Sequence, residues 1–85
     1  MKIWGRTKRD NRTLQSKTVT IQVKSANEVE DWSEPFSRLC HDMNLSRPVI
    51  LKKHIRELES FNHTVFLPSD FLEPVEFDKL EIELF

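Results

Sequence analysis

The feature that most constrains the fold is a strict alternation of apolar and acidic residues from Leu80 to Leu84, inside the segment 77–85. A period of two is typical of a β-strand that buries one face. Such a strand needs neighbours to pair with and a layer of structure over its apolar side. We therefore expect the remainder of the chain to supply a hairpin beside this strand and a helix across it.

An N-terminal β-hairpin is the predicted partner. In the segment 1–6, Met1 and Ile3 alternate with Lys2, Trp4 and Arg6, which predicts a first strand. Thr18–Lys24 alternates β-branched apolar residues with polar ones and predicts a second. The intervening cluster Arg9–Arg12 has turn composition. We expect the tip of the hairpin near Asp10-Asn11.

Two helices are predicted between the hairpin and the last strand. The first begins between Asn27 and Ser33, and Pro35 favours the later start because proline is tolerated only in the first turn. It ends at about Asn44, and a second, shorter helix covers Lys52–Phe61. The expected apolar stripe of the first helix is Trp32, Phe36, Leu39, Cys40 and Met43, and that of the second is Leu51, Ile55 and Leu58.

The segment from Phe61 to Phe77 is rich in large apolar residues. Thr64–Leu67 is a short strand or an extended covering segment, and Ser69 is expected to cap a helical turn at Phe71-Leu72. So much apolar surface is not left in water in a monomer. The segment is expected to close an edge of the core, cover the second face of the sheet, or form an interface.

The predicted fold is therefore a single α+β domain over residues 1–85. It contains a three-stranded antiparallel sheet in the order 2-1-3 (ββαβ-like), one main helix and a second short helix. A right-handed crossover from the second strand brings the final strand beside the first.

Composition excludes several classes of protein. The chain is 38% hydrophobic and 32% charged, which is typical of a globular domain, and no apolar run approaches the roughly 18 residues of a membrane span. A single cysteine permits no internal disulfide, and a single glycine disfavours a phosphate-binding loop. Without a signal-peptide pattern, we expect a cytoplasmic protein with no membrane association and no cofactor.

The net charge of −1 conceals a strong asymmetry. Residues 1–24 contain seven basic residues and one acidic residue, a net charge of +6, whereas residues 61–85 contain one basic and six acidic residues, a net charge of −5. The two halves therefore either contact each other or face different partners.

The basic hairpin suggests a nucleic-acid interface. The candidate residues are Lys2, Trp4, Arg6, Lys8, Arg9 and Arg12. An aromatic ring with basic neighbours on a sheet can stack on a base and contact phosphates. The structural alternative is that Lys2 and Arg6 pair across strands with Glu81 and Glu83, whose carboxylates would also repel phosphates.

The candidate metal ligands are Cys40, His41, His54 and His63, and the candidate nucleophile–base pair is Cys40 with His54 or His63. Their spacing lacks a Cys-x-x-Cys or His-x-x-x-His pair, and adjacent residues on a helix point about 100° apart. Cys40 also falls on the apolar stripe, where cysteine behaves as a small hydrophobe. We expect neither a metal site nor catalytic residues.

Several motifs resemble a family of short conserved proteins of clostridia and related Gram-positive bacteria for which we know of no function. They are Met1–Arg6, Leu39–His41, Pro48 with Leu51–His54, Phe66–Phe71 and Phe77–Ile82, so the likeness covers the whole chain. The resemblance implies a bacterial, cytoplasmic origin. It implies no catalytic residue, ligand or partner.

The function expected from size and composition is a small protein-interaction module of adaptor or regulatory type, without catalytic activity. A nucleic-acid-binding module is the alternative. The chain is expected to be a monomer or a weak homodimer with an unidentified protein partner. The exposed edge of the second strand and the rings of Trp4, Phe66, Phe71 and Phe85 are the candidate contacts.

Overall fold

The computed structural model describes residues 1–85 and confirms an α+β fold with two helices and an antiparallel sheet. The strands are β1 (Lys2–Arg9), β2 (Arg12–Thr20), β3 (His63–Phe66) and β4 (Lys79–Leu84). The helices are α1 (Ser33–Asp42) and α2 (Lys52–Phe61), with single 3-10 turns at Ala26–Glu28 and Pro68–Asp70. No helix has the length and apolar character needed to cross a membrane.

The sheet has four strands rather than the predicted three, in the order β2-β1-β4-β3. The final strand lies antiparallel beside β1 as expected, with Gly5 opposite Ile82. The additional strand is β3, which pairs antiparallel with β4 and places Thr64 opposite Ile82. The strand alternative for Thr64–Leu67 is thus confirmed one residue earlier, at His63–Phe66, but four residues carry too little periodicity to predict pairing with the distant β4.

The second strand was predicted too late in the chain. Asp10 and Asn11 both have positive φ, 51° and 64°, as a two-residue type I′ hairpin requires, so β2 begins directly after the turn at Arg12. Of the alternating apolar residues in Thr18–Lys24, only Val19 is fully buried, and the regular strand ends at Thr20. Most of β2 is an exposed edge strand, which explains its polar sequence.

The helices follow the sequence closely. α1 takes the later predicted start at Ser33, where Asp31 Oδ1 accepts hydrogen bonds from the Ser33 main chain and hydroxyl at 2.9 and 2.6 Å. It ends at Asp42, two residues before the predicted end. α2 has the predicted bounds, and a left-handed Asn62 with φ of 56° ends it and starts β3.

Both helices pack on the same face of the sheet. The buried apolar residues of β1 and β4 meet those of the helices there, in a core that contains Ile3, Val19, Phe36, Leu39, Met43, Leu58, Phe66, Leu80, Ile82 and Leu84. Gly5 permits the close approach of α1, because a Cβ at Gly5 would lie 2.8 Å from Leu39 Cδ2. The opposite face of the sheet is left without a covering helix.

The apolar segment 61–77 divides between core and surface. Phe66, Phe71 and Phe77 are buried, whereas Phe61 and Leu72 are exposed. Ser69 does not cap a helical turn at Phe71-Leu72 as predicted. The turn lies earlier, at Pro68–Asp70, because the Asp70 carboxylate accepts the Leu67 N–H at 2.9 Å.

Candidate functional site

Trp4, the residue predicted to stack on a base, lies on the uncovered face of the sheet and contacts other side chains of the same chain. Arg6 Cζ lies 4.0 Å from the ring centroid of Trp4, and the indole Nε1 donates a hydrogen bond to Ser16 Oγ at 2.6 Å. The ring of Phe85 meets Trp4 edge-on, with the two centroids 6.2 Å apart. The Trp4 side chain is therefore half-buried and engaged from three directions.

The predicted cross-strand ion pairs form only in part. Arg6 Nη2 lies 2.8 Å from Glu83 Oε1 and 3.5 Å from Glu81 Oε1, and Lys79 Nζ lies 3.3 Å from Glu81 Oε2. Lys2 was expected to join this network but forms no ion pair, and its Nζ instead lies 5.8 Å from the centroid of the Phe85 ring. The network places carboxylates within the face that a nucleic acid would have to contact.

The other predicted basic residues cluster at the hairpin tip. Arg9 and Arg12 flank the two-residue turn and are exposed, and Lys8 lies opposite Lys79. Arg9 Nη1 donates to the Glu76 carbonyl oxygen at 3.4 Å, and none of the three forms an ion pair. Lys8 follows Arg6 by two residues on the same face of β1, whereas Arg9 and Arg12 lie beyond it at the hairpin tip.

The cysteine and the histidines occupy separate surroundings. Cys40 is buried, and burial raises the pKa of its thiol to about 11. His41 is exposed on α1, and His63 is half-buried on β3. No group of three His, Cys, Asp or Glu side chains has the geometry to hold a metal ion.

His54 is fully buried and links three elements. Its Nδ1 accepts the Leu51 N–H at 3.0 Å, so the proton of the neutral ring lies on Nε2. Nε2 lies 3.6 Å from Asp70 Oδ2 without a hydrogen-bond partner, and the ring packs on Phe66 with centroids 4.2 Å apart. Burial lowers the pKa of His54 and outweighs the opposing effect of the Asp70 carboxylate.

The outer edge of β3 carries unpaired main-chain groups. The Leu84 N–H donates to the Asn62 carbonyl oxygen at 2.8 Å, so the main-chain N–H and C=O groups of Thr64 and Phe66, like the Asn62 carbonyl, face β4. Hydrogen-bonding direction alternates along an antiparallel strand, so the N–H and C=O groups of His63 and Val65 point away from β4. No strand pairs with this edge.

A groove of about 300 Å³ runs along this edge between β3 and α2. Its helical wall consists of Lys53, Glu57 and Phe61, which are four residues apart and therefore share one side of α2. Its other wall is His63–Val65 with Leu67 at the end. We call this the β3 groove.

The rim of the β3 groove is apolar and exposed. Phe61 is 74% exposed and Leu67 is 47% exposed, so two large side chains meet water on either side of the unpaired edge. Inside the groove, Glu57 Oε1 accepts a hydrogen bond from Thr64 Oγ1 at 2.6 Å. Exposed apolar side chains beside an unpaired strand edge are typical of a surface that binds another chain.

The other edge of the sheet, β2, is protected against strand pairing. Lys17 lies opposite Gly5, so its side chain projects on the helix-covered face of an edge strand. A shift in register between Thr7 and Lys8 also distorts the hairpin. Inward-facing lysines and bulges are two devices by which proteins block edge-to-edge association. β3 contains no lysine, arginine or carboxylate.

Two wider depressions lie near the ends of α1. The first, of about 590 Å³, is lined by Glu28, Glu30, Asp31 and Glu34. The second, of about 600 Å³, is lined by Asp42, Glu73 and Glu76. Crowded carboxylates alone do not define a ligand, and none of these sets can hold a metal ion.

Comparison of the chain with protein-family models, with curated proteins and with solved structures gives no match. The resemblance to clostridial proteins stays a prediction from the quoted motifs. Sequence reasoning did not identify the β3 groove, because its walls come from a helix and a strand whose pairing partner lies far along the chain. The available signal was the excess of large apolar residues in the segment 61–77, which includes Phe61 and Leu67 of the groove.

Proposed function

We propose that this chain is a small protein-interaction module, without catalytic activity, that binds an extended segment of another polypeptide along the edge of β3. The observation that carries this proposal is the unpaired main chain of His63 and Val65 beside the apolar rim of the β3 groove. Strand addition obtains affinity from main-chain hydrogen bonds and specificity from pockets for alternate side chains. The β3 groove offers unpaired main-chain groups for the hydrogen bonds and a space that can accept side chains.

The choice of β3 over β2 follows from their side chains. A strand added to β2 would bring its residues against the inward-facing Lys17, whereas β3 contains no lysine, arginine or carboxylate. The exposed apolar surface supports the same choice, since Phe61 and Leu67 both border β3. Burial of apolar surface contributes roughly 25 cal/mol per Å², so these two side chains add to what the hydrogen bonds provide.

Nucleic-acid binding by the hairpin is the weaker candidate. The Arg6 guanidinium lies over one face of the Trp4 ring, so this contact would have to break before a base could stack on that face. Glu81 and Glu83 would then lie beside the phosphates. Of the candidate cations, only Arg6 is ion-paired, and the others form no ion pair: Lys2, Lys8, Arg9 and Arg12.

The test is affinity capture from a bacterial lysate with matched proline variants. Val65→Pro removes an outward N–H and places a ring on the edge of β3, where an edge strand tolerates proline. Thr18→Pro does the same on the edge of β2, because Thr18 lies between residues that bond to β1. Circular dichroism and urea unfolding establish that both variants keep the fold.

We expect a partner protein that wild type and Thr18→Pro capture and Val65→Pro does not, with or without nuclease. A partner retained by Val65→Pro would contradict the proposal. Capture that nuclease abolishes and that weakens steeply with salt would favour nucleic-acid binding by the hairpin instead.

A further inference from the structure

We infer that the β3 groove selects an antiparallel segment of a partner protein in which an acidic residue lies four positions before an aromatic or large aliphatic residue. This inference rests on the proposed strand addition at β3 and specifies the partner's chemistry. It follows from the order in which charged and apolar side chains of α2 lie along β3.

Contacts between α2 and β3 fix that order. His54, next to Lys53, packs on Phe66, with ring centroids 4.2 Å apart. Glu57 accepts the hydrogen bond of Thr64 at 2.6 Å. Phe61 immediately precedes Asn62, where the chain turns into β3. The helical wall therefore presents a cation, an anion and an aromatic ring in succession along the strand.

The spacing of these side chains matches that of an added strand. Four residues of helix rise about 6 Å, and two residues of strand rise about 6.6 Å. Directly opposite residues of an antiparallel pair point to the same face of the sheet. The partner residue opposite Phe66 therefore faces Lys53. The partner residue opposite Thr64 comes two positions later and faces Glu57. The one opposite Asn62 comes four positions later and faces Phe61.

The charges of the helical wall define the preference at each position. Lys53 is exposed and forms no ion pair, so it favours a carboxylate on the partner. Glu57 disfavours a carboxylate at the middle position and, already bonded to Thr64, accommodates a neutral residue. Phe61 is 74% exposed, and the partner residue opposite Asn62 covers its ring.

A second copy of this chain does not meet these requirements. The segment Asn62–Leu67 would pair with itself across the dyad, and it contains no acidic residue to lie opposite Lys53. The Lys53 charge would then be left without a partner in the interface. The chemistry of the β3 groove therefore favours a different protein as the occupant.

The test is selection from a library of displayed random decapeptides on the immobilised protein. The variant Lys53→Glu reverses the charge at the first position, and Lys52→Glu is the matched control because Lys52 is also exposed on α2 but does not line the groove. Val65→Pro reports whether selected peptides bind the edge of β3. Sedimentation velocity on the wild type measures self-association.

We expect wild type and Lys52→Glu to enrich Asp or Glu four positions before Phe, Tyr, Trp, Leu or Ile. Lys53→Glu should replace the acidic preference with Lys or Arg and lower the affinity for a wild-type-selected peptide up to about fivefold, the upper end of what an exposed ion pair contributes.

The outcomes separate the two proposals. If no peptide is enriched, or if enriched peptides bind Val65→Pro equally well, strand addition at β3 is wrong and this inference is wrong with it. If enriched peptides lose binding in Val65→Pro but lack the acidic preference, or keep it in Lys53→Glu, the inference alone is overturned. A wild-type dimer that Val65→Pro dissociates would assign the groove to a second copy.

Discussion

Arg6 donates a hydrogen bond to Glu83 at 2.8 Å, although the residue directly opposite Arg6 in the strand register is Glu81. The guanidinium thus reaches diagonally across β4, and in this position it also covers the ring of Trp4 at 4.0 Å. The contact joins the basic N-terminal strand to the acidic last strand. Part of the positive charge of residues 1–24 is therefore paired with the negative charge of residues 61–85 within the chain.

Reversing the charge of Arg6 should destabilise the sheet. In Arg6→Glu, three carboxylates would lie together on β1 and β4, and the cover of Trp4 would be lost. Because Glu83 is partly exposed, we expect a loss of about 1 kcal/mol in the free energy of unfolding rather than the value of a buried pair. Urea unfolding monitored by tryptophan fluorescence measures it.

The double reversal Arg6→Glu with Glu83→Arg supplies the control. If the diagonal contact stabilises the sheet, the second change should recover most of the loss, giving a favourable coupling energy of several tenths of a kcal/mol. Strict additivity of the two single effects would show that the Arg6–Glu83 contact contributes nothing to stability.

His54 should make the stability of the fold sensitive to pH. Its pKa is lowered in the fold by burial, so below about pH 6.5 the unfolded chain takes up a proton that the folded chain does not. Above that pH His54 is neutral in both states, and the free energy of unfolding has its full value. The free energy of unfolding then decreases as the pH falls toward the pKa that His54 has in the folded chain. The slope reaches at most about 1.4 kcal/mol per pH unit.

His54→Gln is the matched variant, because His54 occupies the third helical position and accepts the Leu51 N–H as glutamine does in a capping box. Unfolding free energies measured from pH 7.5 to 5.5 should fall more steeply for wild type than for this variant. Parallel curves would mean that His54 is protonated equally in both states. Asp70, Lys53 and Glu57 are the charged groups nearest to His54, and they are unchanged in this comparison.

The parts of the fold that could be predicted are those with a local signal. The apolar stripe of α1 is buried as predicted, and α2 has the predicted bounds because Ile55 and Leu58 repeat at helical spacing and Asn62 ends it. The predicted stripe of α2 was wrong at Leu51, which precedes the helix and is exposed, while His54 is buried. β4 shows the period of two that identified it, with Leu80, Ile82 and Leu84 all buried.

The parts that could not be predicted depend on partners distant in sequence. β2 is polar because it is an edge strand, so its sequence does not distinguish it from a loop. β3 is defined by pairing with β4, and His54 is buried because Phe66 and Asp70 enclose it. The β3 groove combines both difficulties, since it requires α2, β3 and their relative placement.

A side chain at Gly5 should strain the contact between β1 and α1. In Gly5→Ala the new Cβ would lie 2.8 Å from Leu39 Cδ2, and Leu39 is fully buried and cannot move freely. We expect a loss of about 1–3 kcal/mol, the usual cost of overpacking. Shortening the opposing side chain in Gly5→Ala with Leu39→Val should destabilise less than the sum of the single changes, and thermal unfolding of the four proteins tests this coupling.

Cys40 should be inert in the folded protein. It lies on the buried side of α1, and burial raises the pKa of its thiol to about 11, so little thiolate is present at pH 8 and reagents cannot reach it. In buffer, we expect a disulfide-exchange reagent to react with Cys40 only as fast as the folded protein opens spontaneously. Once urea unfolds the chain, the reaction should be rapid. Because Gly5→Ala destabilises the same contact layer, it should accelerate labelling in buffer about tenfold for every 1.4 kcal/mol of stability that it removes when opening is global. Fast labelling of the wild-type protein without urea would show that Cys40 is reached by local opening of α1.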